Sequence, residues 1–202
     1  MALALAATAG AQASGGLDHH RLTNLRLIDV RLGENRIPHF AIDGRPARIV
    51  VAWRGNGNAH SFNIFLIVMP GGEVEGDWNV VGVDRGPPKY NFDDVESDAP
   101  HTGEDYVRSV HFAHALLDGK PQTLLMTATR NWTKSIPEPA ITTFEVYELI
   151  RPEDGVETPD RFTLIEKVAS RGRFCNSEVA FSHQFGTPLP KDFPVNRKDG
   201  CT

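Results

Sequence analysis

Apolar residues come along this chain in short runs separated by turn formers, and no segment carries a long 3.6-residue stripe. The run Ile49 to Trp53 follows a turn, Asp43-Gly44-Arg45-Pro46. Arg54-Gly55-Asn56-Gly57-Asn58 breaks it, and a second run, Phe62 to Val68, ends at Pro70-Gly71-Gly72. Two apolar runs bounded in this way predict two β-strands joined by a polar loop. Leu22 to Leu32 predicts another strand. Its alternation puts Leu25 and Leu27 on one face and Ile28, Val30 and Leu32 on the other, so a bulge is expected near Leu27-Ile28. Ile37 to Ile42 is expected as a short edge strand, because Pro38 cannot donate to a ladder. Trp78–Val83, Tyr106–Phe112, Thr123–Thr129, Ile141–Ile150 and Phe162–Val168 complete the predicted strands. In Ile141–Ile150, Thr143, Glu145, Tyr147 and Leu149 share one face, and Thr142, Phe144, Val146 and Glu148 the other. Cys175–Phe185 reads as a short helix or a strand. Residues 84–105, with their prolines and the acidic group Asp93, Asp94, Glu96 and Asp98, read as a long loop, either a lid or a plain excursion.

The plan of the Asp43 stretch returns at Asp118-Gly119-Lys120-Pro121. Ile49 to Ala52 then falls on Leu124 to Thr127, Arg54 on Arg130 with one insertion, and Phe62 to Val68 on Phe144 to Ile150. The expected fold class is all-β and mainly antiparallel, with few short helices. Two related strand units would form a sandwich or an incomplete propeller-like domain. Duplication and the independent use of a good hairpin turn both account for the match.

Length and composition narrow the class. At 202 residues and 40% hydrophobic, residues 17–202 are expected to form a single β-rich domain, with an extended tail from about residue 186. A net charge of -5 points away from nucleic acid, which calls for a basic patch. No apolar run approaches the ~20 residues of a membrane span. Residues 1–16 are small and uncharged and carry Ala11-Gln12-Ala13, an A-x-A pattern. They read as a signal-peptide remnant or a disordered tail. Export would make the protein periplasmic or secreted, and it would permit a disulfide between Cys175 and Cys201.

The run Ile42-Asp43-Gly44-Arg45-Pro46, then Ile49-Val50-Val51-Ala52-Trp53-Arg54, then Asn56 and Asn58-Ala59-His60, resembles bacterial carbapenem intrinsic-resistance proteins of the CarG-like type. Trp78-Asn79-Val80-Val81, Gly103-Glu104-Asp105, Ala128-Thr129-Arg130 and Phe144-Glu145-Val146-Tyr147 look similar in order. The likeness covers residues 25 to 168 in outline and 43 to 65 closely. Tyr106 stands where the family pattern has a Cys, and the Asp43 turn lacks the further acidic residues of a calcium loop. The resemblance implies a small exported β-protein that protects the cell envelope from a β-lactam without a known catalytic mechanism.

Candidate chemistry lies in the loops. Arg54, Asn58 and His60 offer donors and acceptors to a polar or carboxylate ligand. Trp53 and Trp132 flank equivalent loops and could stack on a ring or serve as core. With Arg130 these residues form the expected ligand-binding set: Trp53, Arg54, Asn58, His60, Arg130 and Trp132. The expected partner is a small molecule or cell-wall component, and a homodimer is compatible with the same surface. G-x-S-x-G, S-x-x-K, H-E-x-x-H, P-loop and dinucleotide patterns are all missing, so no catalytic residue, metal site or cofactor is assigned. The alternatives are a His- and carboxylate-dependent or metal-dependent hydrolase using His101, Glu104 and Asp105, and a protein-interaction or adhesion module.

Overall fold

The structure is a computed structural model that describes residues 15–57, 61–71, 76–86, 92–98, 107–151, 160–189 and 201. In chain order the strands are β1 Gly15–Gly16, β2 Arg21–Ile28, β3 Gly33–Ile37, β4 Ala47–Arg54, β5 Phe62–Pro70, β6 Trp78–Val80, β7 Gly82–Asp84, β8 Phe92–Asp93, β9 Glu96–Ser97, β10 Arg108–Leu117, β11 Lys120–Arg130, β12 Ala140–Ile150 and β13 Arg161–Phe174. A helix, α1 Ser177–Phe185, follows. A large sheet has the order β1-β2-β10-β11-β12-β13-β7-β8, and a smaller one the order β3-β4-β5-β6, with β9 also on β5. Ladders are antiparallel except β13 with β7. The fold is an all-β sandwich with a helix on its back, and the propeller-like alternative is set aside.

The large sheet is covered on both faces, which explains the unbroken apolar character of β11. Leu124, Met126 and Ala128 face α1, where they join Phe144, Val146, Phe181 and Phe185. Leu125 faces the small sheet and packs with Phe112, Tyr147, Phe162, Ile49, Phe65 and Ile67. Polar alternation therefore disappears from the central strand, since neither face meets water. The faces of β12 fall as expected, with Phe144 and Val146 on the helix side and Tyr147 between the sheets.

Several boundaries differ from the sequence reading. The bulge in β2 lies at Asn24, three residues before the expected position. Asn24 has φ 55, and the β2–β10 register slips there, so Leu22 and Leu25 both reach the helix-side core. The edge strand β3 ends at Ile37, ahead of Pro38. Phe40 and Ala41 are buried from a loop instead, with the Phe40 carbonyl accepting from Thr123 Oγ1 at 2.7 Å. Trp78–Val83 is split between sheets, β6 on β5 and β7 on β13. The Val81 N–H donates to the Ile67 carbonyl at the crossing.

Each sheet contains a three-stranded meander, β3-β4-β5 and β10-β11-β12, and an Asp-Gly turn precedes each middle strand. The turns are built differently. Asp118 and Gly119 both have positive φ (50° and 81°) and close β10 directly onto β11, the pattern of a type I′ hairpin. Asp43-Gly44 lies in the longer β3–β4 connection, where only Gly44 has positive φ. There the Arg45 guanidinium holds the loop to the main body through Asp43 and, in a bidentate pair, Asp160.

α1 starts at Asn176, whose side chain accepts from the N–H groups of Glu178 and Val179, and stops at Gly186 with φ 67. Cys175, just ahead of it, is bonded to Cys201 across a separation of 26 residues. In the chain-entropy account, closing such a loop stabilises by about 3.5 kcal/mol. Cys201→Ser should therefore move the denaturant midpoint down by an amount equivalent to about 2–4 kcal/mol, and added reductant should bring the parent chain to the same midpoint. Equal midpoints for oxidised parent and variant would show that the bridge contributes nothing. No helix among the described residues is long and apolar enough to cross a membrane.

Candidate functional site

A cavity of about 640 Å³ opens where β2 leaves the large sheet. β2 covers β10 only from Phe112 onward, starting with the pair Phe112–Ile28. The chain then departs through Asp29–Leu32 toward β3 in the other sheet. That crossing leaves the first part of β10 uncovered. Val51, Asn63 and Phe65 of the small sheet form one wall of the gap, and Glu178, Phe181, Ser182 and Leu189 from α1 and beyond form the other. Arg108, Ser109, Val110 and His111 run between these walls.

Arg108 and Val110 face the small sheet; Ser109 and His111 face α1. His111 stacks on Phe181 with ring centroids 4.0 Å apart, and its Nε2 lies 3.2 Å from the Glu178 carboxylate without hydrogen-bond alignment. Ser109 is 2% exposed, and its Oγ has no hydrogen-bond partner. Asn63 donates from Nδ2 to Asp98 at 2.7 Å, which identifies that atom as the amide nitrogen, since a carboxylate only accepts. Its buried Oδ1 has no donor. Both atoms are shielded from solvent, and among the described residues so are unpaired side-chain atoms remote from the cavity, such as Thr142 Oγ1 and Thr163 Oγ1. The polar groups on the cavity wall include those of Arg108, Asp98, His111 and Glu178.

A buried charge cluster forms the floor next to Arg108. Glu96 is 2% exposed and receives Arg85 Nη2 at 2.8 Å and Arg108 Nη2 at 2.9 Å. Arg108 also donates to Thr129 Oγ1 and to the Ser97 carbonyl. Arg85 pairs with Asp93 and donates to the Tyr147 hydroxyl, which donates in turn to Glu145. Burial pulls the Glu145 carboxyl upward, but the Lys167 ammonium and the Tyr147 hydroxyl outweigh it and hold it below its ordinary range. Burial, reinforced by the Glu145 charge, pushes the Tyr147 hydroxyl up, so it stays protonated and remains a donor. The rest of the 84–105 loop, residues 87–91 and 99–105, lies outside the described residues, but members of its acidic group are paired. Asp93 and Glu96 clamp two arginines, and Asp98 accepts from the Asn63 N–H and Nδ2. Apolar patterning could not show this, because the partners are distant in sequence.

The expected ligand set is placed elsewhere. Trp53 and Trp132 are 52% and 45% exposed, and the Arg54 guanidinium lies 5.7 Å from the Phe62 ring centroid. Arg130 is 2% exposed, and its guanidinium donates to the carbonyls of Phe174, Ile136 and Glu138, an engagement that holds the β11–β12 loop in place. None of these four lines the cavity. Asn58 and His60 lie outside the described residues, as do His101, Glu104 and Asp105 and most of the expected leader and tail. His111 and His114 point to opposite faces of β10, and His114 contacts the Phe40 carbonyl at 2.7 Å. Among the described residues there is no cluster of three metal-ligating side chains. Sequence reading passed over Ser109 and Asn63. The available signal was a serine and a charged residue at the start of a strand that is otherwise apolar.

No protein-family model matches the chain, and no curated protein does either. Among solved structures, the crystal structure of CarG superimposes with a TM-score of 0.59. Sequence identity is 12%, over 83% of this chain and 98% of that one. The likeness is one of fold. At this identity it carries no residue-level correspondence.

Proposed function

We propose that this chain is an exported, non-enzymatic envelope protein of CarG-like fold that binds a small molecule or cell-wall component in the cleft between its sheets, and so contributes to β-lactam tolerance. The observation that carries the reading is the cavity of about 640 Å³ between the sheets, which brings Arg108, Asp98 and His111 together with Val51, Phe65 and Phe181. The Cys175–Cys201 bridge supports an oxidising compartment. Carbapenem is the ligand class to test first, because the sequence resemblance leads to it. Calorimetry with a carbapenem and with a soluble muropeptide should give saturable heat for at least one. At a hundredfold excess over Kd, that ligand should add about 2.7 kcal/mol of stability. No heat and no change in Tm with either ligand would overturn the proposal. The exposed indoles of Trp53 and Trp132 support a second reading, a protein-docking face. Concentration-dependent elution of the parent chain that is lost in Trp53→Ala would favour it.

A further inference from the structure

The edge of β10 that the cleft exposes is itself a binding element. The Val107 carbonyl accepts from the Arg130 N–H at 2.8 Å, so the odd-numbered residues of β10 turn their backbone groups to β11. The even-numbered residues, Arg108 and Val110, turn theirs to the other side. From Phe112 onward β2 meets those groups; at Arg108 and Val110 no described residue supplies a backbone partner. An unpaired strand edge is a template for another extended chain. Most proteins blunt such an edge or cover it, yet here it lies inside a cavity beside Val110, which is itself buried. Phe181 lies on the helix side of it and Phe65 and Asn63 on the small-sheet side. A strand laid along the edge would alternate its side chains between those two faces.

We infer, resting on the cleft reading above, that the ligand is an extended peptide of about three residues, which adds to the Arg108–Val110 edge as a short antiparallel or parallel strand. The length follows from the edge, which spans about 7 Å at ~3.3 Å per residue. One face of the peptide meets Ser109 and Phe181. The other packs on Phe65.

Amide hydrogen exchange of the full-length protein by NMR tests this, with acetyl-Ala-Ser-Ala-methylamide as probe beside a carbapenem. In the free protein, the Arg108 and Val110 amides should exchange at least tenfold faster than those of Ser109 and His111, which pair with β11. Saturating peptide should slow Val110 at least tenfold. N-methylation of the peptide, one amide at a time, should weaken binding at least tenfold at one position or more. Ligand heat without protection of Val110 overturns the strand-addition inference while leaving the cleft reading intact. Absence of heat with peptide, muropeptide and carbapenem alike defeats both. Protection of Val110 already in the free protein would mean that the chain's own segment or a second copy fills the edge, and it would equally overturn a peptide-ligand role.

Discussion

Glu96→Ala is expected to destabilise the protein by about 3–5 kcal/mol, the range for removing one partner of a buried ion pair. The carboxylate sits between two guanidiniums, Arg85 and Arg108; Arg85 keeps Asp93, whereas among the described residues Arg108 pairs with no other carboxylate. Removing it leaves two largely buried cations facing one another, Arg108 without a counter-charge. The cost arises from their uncompensated desolvation more than from the lost attraction. The comparison is Asp93→Ala. Asp93 pairs with the same Arg85, but its side chain is 43% exposed, so water takes over when it is removed and about 1 kcal/mol is expected. Urea denaturation of both variants gives the comparison directly. If Glu96→Ala costs no more than Asp93→Ala, the clamp is not what holds β9 and β10 together. Arg108 lines the cleft as well, so ligand affinity should fall in Glu96→Ala even where the protein remains folded.

The second large effect is expected at Phe112. Its ring is fully buried and lies 6.2 Å from Phe40, 6.2 Å from Phe65 and 6.3 Å from Phe162, centroid to centroid. These neighbours come from a loop, the small sheet and the far side of the large sheet, so one side chain joins all three. Phe112→Ala removes the ring and leaves a cavity that rigid strands cannot collapse to fill. A loss of about 3–5 kcal/mol follows. Leu32→Ala supplies the contrast: Leu32 is 66% exposed, and its truncation should stay within about 0.5 kcal/mol. Equal denaturation midpoints for the two variants would place the inter-sheet core elsewhere.

Much of the architecture was legible in the pattern of apolar runs, because strand formation depends on alternation and on turn chemistry that neighbouring residues supply. Asp118-Gly119 encodes a hairpin by tolerating two positive φ angles, and that decision is local. Strand ends and sheet membership were less legible. Trp78–Val83 looks continuous, yet it serves two sheets, since what a strand pairs with depends on partners far along the chain. Leu22 and Leu25 reach one core only because Asn24 bulges, a shift that simple alternation placed three residues later.

The candidate site divides in the same way. Local sequence put Trp53, Arg54 and Trp132 at or beside loops and left a core role open for the indoles; Trp53 and Arg54 end β4, and all three are exposed, so neither indole is core. Arg130 looked equivalent to Arg54, but on β11 it faces the helix layer, and three carbonyls engage it. Both arginines turn away from the opposing sheet, but α1 and its flanking chain cover that face of the large sheet, whereas Arg54 stays exposed on the small one. By itself, then, the sequence determined the all-β class, most of the strands, the two Asp-Gly turns and a pair of cysteines able to bridge. Only the tertiary structure decided that β2 would abandon β10 at Ile28, that Asn63 would be tied to Asp98 beside the gap, and that Glu96 would be buried between two arginines. Those outcomes depend on contacts between residues remote in sequence, whose desolvation and pairing energies have no signature in any local stretch of the chain.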